Sequence, residues 1–170
     1  MKYGKFVLSS GRDSAYYFDG RRISLDPEGA YLIGDCMLSL IAATDATSEG
    51  GLTLGADPLV ASISLLSYIN GMSITGFIVR KQGKLHGTRQ TIEGLLSPGS
   101  KVAIVDDTCT TGGSILESIK EVERIECEVV KVITILDRCE GGSEEIKKRG
   151  YSFATLLKAN NQGQVIVDID

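Results

Sequence analysis

The sequence predicts an α/β domain with a central, mostly parallel sheet flanked by helices. Three observations carry that expectation. Strand-like and helix-like segments alternate four times along the chain. The run Val102-Ala103-Ile104-Val105 is apolar throughout, as a strand covered on both faces is. Chemically loaded residues follow four of the strand candidates: Gly55-Ala56-Asp57, Arg80-Lys81, Asp106-Asp107 and Asp137-Arg138. Ligands of open α/β sheets bind at the carboxyl ends of strands, so these four segments are expected to converge on one site. A chain of 170 residues fits a single domain, 1–170, and buries roughly 70% of its unfolded surface without staples.

The elements follow in order. Phe6 to Ser10 and Ala15 to Phe18 are β-like, with Gly11-Arg12-Asp13 as the turn of a hairpin. Asp26 caps a helix with Pro27 in its first turn, and Ile33, Cys36, Met37, Leu40 and Ile41 recur at helical spacing. Leu52-Thr53-Leu54 is a short strand candidate. Asp57-Pro58 opens the next helix by the same device, carrying Val60, Ile63, Leu66 and Ile69. Ile74 to Val79 and Val102 to Val105 are strands. Ile115, Ile119, Val122 and Ile125 mark a helix, Val129 to Leu136 a β-branched strand, Ser143 to Arg149 a shorter helix, and Tyr151 to Leu156 a last core strand. Arg80 to Thr91 and Asn160 to Gly163 are polar loops.

Bulk properties narrow the function. Net charge is −4 and pI about 5.1, which argues against a nucleic-acid partner and leaves anion binding to local basic clusters. Cys36, Cys109, Cys127 and Cys139 form no CxxC pair, and the lone His86 is not spaced as a partner ligand. Reduced thiols of a cytoplasmic protein are expected, not a zinc site or a disulfide framework. The N-terminus has no apolar signal core. No stretch approaches the roughly 20 apolar residues of a membrane span, so no membrane partner is expected.

The most specific segment runs from Val102 to Ser114. Asp106 and Asp107 stand where an apolar strand meets solvent, and neighbouring carboxylates favour a shared cation or a set of hydroxyl donors. Thr108 to Gly113 offers backbone N–H groups with little bulk, and the helix behind it turns its positive end toward them. Thr110, Thr111 and Ser114 add hydroxyls. A simple strand–turn–helix join, with Asp107 or Thr110 as a cap, is the plain alternative. The pattern is neither GxxxxGK[ST] nor GxGxxG.

This segment closely resembles the 5-phosphoribosyl diphosphate (PRPP) signature of the type I phosphoribosyltransferases. The resemblance implies that fold, with Asp106 and Asp107 on the ribose hydroxyls and Thr108, Cys109, Thr110, Thr111, Gly112, Gly113 and Ser114 around the 5′-phosphate. The basic segment Arg80-Lys81-Gln82-Gly83-Lys84-Leu85-His86-Gly87-Thr88-Arg89 reverses the sign of an acidic chain locally. Its Arg-Lys-x-x-Lys-x-His-Gly string is similar to the mobile catalytic loop of the orotate phosphoribosyltransferases. Phe6 to Arg12 with Ser14 to Asp19, Gly55 to Leu59, Ile92-Glu93-Gly94, and Leu136-Asp137-Arg138 with Glu140-Gly141-Gly142 resemble other segments of that family.

The family likeness implies transfer of a phosphoribosyl group from PRPP to orotate, in UMP biosynthesis, by a homodimer that shares its catalytic loop. Residues 1–24 would form a small hood and 80–91 the mobile loop. Lys81, Lys84, His86, Asp106 and Asp107 would be catalytic, with Arg80, Lys81, Lys84 and His86 on PRPP beside the phosphate loop. Tyr17, Phe18, Thr110 and Arg138 would take orotate. Arg138 is otherwise open to a surface ion pair with Asp137 or Glu140. Mg²⁺ would be held mainly by substrate and water, and Cys109 would be a small filler. Some relatives carry lysines at Ser9 and in the Gly55-Ala56 turn, so anion binding here shifts toward Arg80, Lys81 and Lys84. A purine-using relative and a catalytically idle PRPP-binding regulator are the rivals. The basic loop, the Tyr-Tyr-Phe segment and Asp137-Arg138 weigh against the first; the basic loop, with no basic stripe elsewhere, weighs against the second.

Overall fold

The computed structural model describes residues 2–7, 13–81, 91–160 and 162–167. Lys2–Val7 (β1) and Asp13–Tyr17 (β2) pair antiparallel as a separate two-stranded sheet. After the short helix Arg21–Ser24 (α1) and the helix Pro27–Ala42 (α2) come Ser48–Leu52 (β3), Asp57–Ile69 (α3), Thr75–Val79 (β4) and Ile92–Gly94 (β5). Lys101–Cys109 (β6), Gly113–Glu123 (α4), Glu128–Asp137 (β7), Gly142–Lys148 (α5), Phe153–Ala159 (β8) and Val165–Val167 (β9) complete the chain. The seven-stranded sheet has the order β5-β4-β3-β6-β7-β8-β9. Its five inner strands are parallel, and both edge strands run antiparallel to them.

The alternation of side chains along β6 explains its apolar run. Ala103 and Val105 face α2 and α3, packing with Met37, Ile41, Leu59 and Ile63. Val102 and Ile104 face the other way, toward Ile115, Ile119 and Val122 of α4 and Ile146 of α5. A central strand of this kind has no polar face. The helix before β3 starts as expected: Asp26 accepts a hydrogen bond from the Gly29 N–H at 3.1 Å, with Pro27 at the first position. Leu38, not Cys36, completes its buried stripe, and Cys36 is exposed.

Three expectations are corrected. The strand expected at Leu52-Thr53-Leu54 lies earlier, at Ser48–Leu52; its polar and glycine residues hide it, because close approach of neighbouring strands excludes side chains at Gly50 and Gly51. Asp57 does not cap α3. It sits inside the helix and accepts from Thr53 Oγ1 at 2.9 Å, while Ala56 holds the cap position. β6 does not end at Val105 but continues through Asp106 to Cys109, paired with β7 as far as Asp137. Two three-residue edge strands, β5 and β9, add to the expected set. Among the described residues no helix is long and apolar enough to cross a membrane.

Glu49 is a polar intruder in the core, fully buried on β3. Its Oε1 accepts from Ser64 Oγ at 3.1 Å, and its Oε2 has no partner. Burial pushes the carboxyl well above its ordinary range, with the Ser64 bond opposing weakly. A carboxyl raised in the folded state contributes stability below its unfolded pKa and loses it as pH rises through the folded value. Glu49→Gln therefore stabilises the protein relative to the parent by an amount that grows from pH 5 to pH 8. Thermal melts across that range check this; parallel curves for the two proteins would refute it.

Candidate active site

The carboxyl ends of β3 and β6, together with the segment after β7, open on a cleft of about 870 Å³. The end of β2 and the residues after it form its other wall, through Tyr17, Phe18 and Arg21. Asp106, Asp107, Thr108, Thr110, Thr111, Gly112, Gly113 and Ser114 line one side, with Lys81 and Arg138 also on the wall. Most of the expected binding residues are thus brought together.

Asp106 is 5% exposed yet lines the cleft. Its Oδ1 accepts from the Asp107 N–H at 2.9 Å and its Oδ2 from Ser114 Oγ at 2.7 Å. Burial, and then the charge of Asp107, push Asp106 up to about 7 against those two bonds. Asp107 is also raised, chiefly by burial, while Arg21 and Thr108 pull it back down. The free site therefore holds a proton on the pair more readily than isolated carboxyls would. That contribution to stability fades as pH rises through about 7.

The loop after β6 turns by way of Gly112, whose φ of +79° stands at the N-cap of α4. A side chain there would be strained in the left-handed region and would press on the Gly142 carbonyl at 3.3 Å. Ser114, expected as a phosphate donor, spends its hydroxyl on Asp106 while still lining the cleft. Cys109, counted with the phosphate loop, does not line the cleft. Strand alternation turns its thiol into the core beside α4, and burial pushes it up to about 12. It is a filler, not a nucleophile.

Arg80 does not reach the cleft wall; its Nη1 lies 3.4 Å from Glu93 Oε1. Lys81 is exposed and lines the cleft. Lys84 and His86 lie outside the described residues. Arg138 is both ion-paired and at the cleft. It does pair with Glu140, Nε to Oε1 at 2.8 Å, but its side chain is only 2% exposed and stands on the cleft wall.

Two contributors escaped the sequence reading. Arg21 lines the cleft and lowers Asp107, held by Asp19 at 3.1 Å. Gly20 presses on the same carboxyl: a Cβ at this position would lie 2.7 Å from Asp107 Cβ and 2.9 Å from its Oδ2. Gly55 approaches from another direction, where a Cβ would meet Asp106 Oδ1 at 2.5 Å. The only sequence signal was the Asp19-Gly20-Arg21 step directly after the aromatic strand.

Comparison with known proteins agrees with this geometry. Residues 58–165 match the family described as the phosphoribosyl transferase domain. The chain is 45% identical over 153 residues to an orotate phosphoribosyltransferase of Aquifex aeolicus, covering 90% of this chain and 84% of the relative. It is 40% identical to that of Rhodopirellula baltica over 96% of this chain and 88% of the relative. Among solved structures it is similar to Mycobacterium tuberculosis orotate phosphoribosyltransferase in complex with PRPP, with a TM-score of 0.75 and 39% identity over 90% of this chain and 86% of that one. An adenine phosphoribosyltransferase of Leishmania donovani, at 18% identity and a TM-score of 0.64 over 86% of this chain and 72% of that one, shares the fold.

Gly20→Ala tests the carboxylate pair without altering its chemistry. Gly20 has φ −61° and ψ −30°, which alanine adopts freely, so the added methyl acts by displacing Asp107. PRPP affinity by titration calorimetry is expected to fall about tenfold or more, roughly 1.4 kcal/mol, with the far-ultraviolet circular dichroism unchanged. Unaltered affinity would argue against Asp107 as a sugar ligand.

Proposed function

The chain belongs to the orotate phosphoribosyltransferase family, and on that premise we propose how its own residues perform the family's reaction. The 5-phosphoribosyl group passes from PRPP to orotate, giving orotidine 5′-monophosphate and pyrophosphate. The bond from the anomeric carbon to pyrophosphate oxygen breaks, and a bond to the ring nitrogen of orotate forms. One observation carries the assignment: a single cleft is lined by the Asp106–Asp107 pair, the loop that follows it, the buried Arg138, and Tyr17 and Phe18. The first half suits a phosphorylated ribose, and the second a flat anion bearing a carboxylate.

Asp106 and Asp107 accept from the ribose hydroxyls, and residues 108–114 cradle the 5′-phosphate with backbone N–H groups and the hydroxyls of Thr110 and Thr111. The anomeric carbon passes through a cation-like state, so holding the sugar and stabilising the departing charge do most of the work. Lys81 lines the cleft, and we assign it to that charge, with Lys84 and His86 of the same segment assigned to it by family likeness. Tyr17 and Phe18 cover the pyrimidine, Thr110 borders it, and Arg138 takes its carboxylate. No covalent nucleophile is required.

The donor set fits Mg²⁺. Two adjacent carboxylates, Asp106 and Asp107, stand at the cleft as oxygen donors of the kind this cation takes. Most of its oxygen ligands would come from pyrophosphate and water, as this cation favours. Bound Mg²⁺ supplies charge neutralisation on the leaving group. The outward faces of α2 and α3 expose Tyr31, Leu32, Leu65, Tyr68 and Ile69, an apolar surface that supports assembly as a homodimer. We assign the β1–β2 hairpin as a hood and the 80–91 segment as a catalytic loop offered to the partner subunit. A cytoplasmic setting follows from this chemistry, whose substrates are soluble metabolites.

Pyrophosphate release with Mg²⁺, PRPP and each of orotate, uracil, adenine and hypoxanthine tests the assignment. Turnover is expected with orotate alone, and none with orotate would overturn it. Loop sharing has its own test. Lys84→Ala and Asp107→Ala proteins, each strongly impaired, should regain about a quarter of parental activity when mixed, since random pairing leaves one intact site in half of the dimers. No recovery on mixing would refute sharing.

A further inference from the structure

Arg138 is held on three sides, and the third reaches far from the cleft. Its Nε donates to Glu140 Oε1 at 2.8 Å and its Nη2 to Ser14 Oγ at 2.8 Å. Arg138 also lines the cleft. The guanidinium carbon lies 4.0 Å from the centroid of the Tyr16 ring, a close cation–π contact. Tyr16 is itself 4% exposed, packed with Leu136 and Ala159. It lies on β2 and does not line the cleft.

Tyr16 is fixed in turn by the bend between β8 and β9. Gly163 has φ +75°, and a Cβ there would lie 2.6 Å from both Cγ and Cδ1 of Tyr16. The bend is locked by Asn160, whose Oδ1 accepts from the N–H groups of Gln162 and Gln164 at 3.0 Å each. The Gly163 N–H donates to the Asn160 carbonyl at 2.8 Å, and its own carbonyl accepts from Tyr3 Oη at 3.4 Å.

We propose that the bend carrying Asn160 and Gly163 is a positioning element for the base site, acting through Tyr16 to fix the plane of the Arg138 guanidinium. Gly163, with no side chain, lets the ring sit against the turn. The ring then sets the face of a fork whose other two edges are tied by Glu140 and Ser14. An arginine fork recognises a carboxylate only in one plane, so tilting it weakens the pair without touching the sugar site. This inference rests on the reading that Arg138 takes the substrate carboxylate.

The test compares Gly163→Ala with Gly150→Ala. Both positions have positive φ, +75° and +94°, but a side chain at Gly150 would meet nothing within 4 Å. Gly163→Ala is expected to raise the KM for orotate about tenfold while the KM for PRPP stays within about twofold, and Gly150→Ala to leave both near the parent. An unchanged orotate KM in Gly163→Ala, or an equal rise for PRPP, would overturn the proposal. Should Gly163→Ala fail to fold, Tyr16→Leu and Tyr16→Phe replace it. The leucine variant should lose orotate affinity and the phenylalanine variant recover most of it, since only the ring is required. Loss in both alike would refute the ring's role. Arg138→Lys separates the two levels. If it leaves orotate KM unchanged, the carboxylate assignment fails; if it raises KM and Gly163→Ala does not, the positioning role alone fails.

Discussion

The site is organised around a carboxyl group carried on a strand that does not end where its apolar run ends. Asp106 belongs to β6, which stays hydrogen-bonded to β7 as far as Cys109, so its side chain cannot swing out to water as it could from a loop. The Asp107 N–H and the Ser114 hydroxyl offset only part of the desolvation this imposes. Ser114 stands in the first turn of α4. One hydrogen bond therefore ties the strand to the helix that follows and sets the span of the loop between them.

Around that pair the chain arranges charge of the opposite sign in an otherwise acidic molecule. Arg21 reaches Asp107 electrostatically, Lys81 faces the cleft from the end of β4, and Arg138 lies beyond β7. Each comes from a different element: the parallel sheet brings Lys81 and Arg138 to one side, and the short helix after the hairpin brings Arg21. The hairpin contributes through both of its faces. Tyr17 faces the cleft, while Tyr16 turns to Leu136 and Ala159 in the core.

Much of this was legible in the sequence because it is local. Asp26-Pro27 announces a helix start through a cap and a fixed φ, and Val102 to Val105 announces a doubly covered strand through unbroken apolar character. The Asp106 to Ser114 segment was legible as a candidate site through residue type and order, and Arg138 through family likeness. What escaped depends on contacts distant in the chain. Ser48-Glu49-Gly50-Gly51 reads as a loop until its neighbouring strands are known to crowd it. The edge strands β5 and β9 are too short to display a period. Gly20 acts through Asp107, and Ser14 through Arg138 across 124 positions of sequence, so no window of residues reveals either.

The carboxyl of Glu49 has a consequence for how this protein's energetics are read. Above the ordinary carboxylate range the unfolded chain carries it ionised, whereas burial in the folded core shifts it toward the protonated form. Folding then draws a proton from the solvent. The heat measured for unfolding accordingly includes the ionisation enthalpy of whatever buffer exchanges that proton. Melts in phosphate and in an amine buffer at the same pH would yield different apparent enthalpies for one and the same transition, with the difference reporting the protons exchanged.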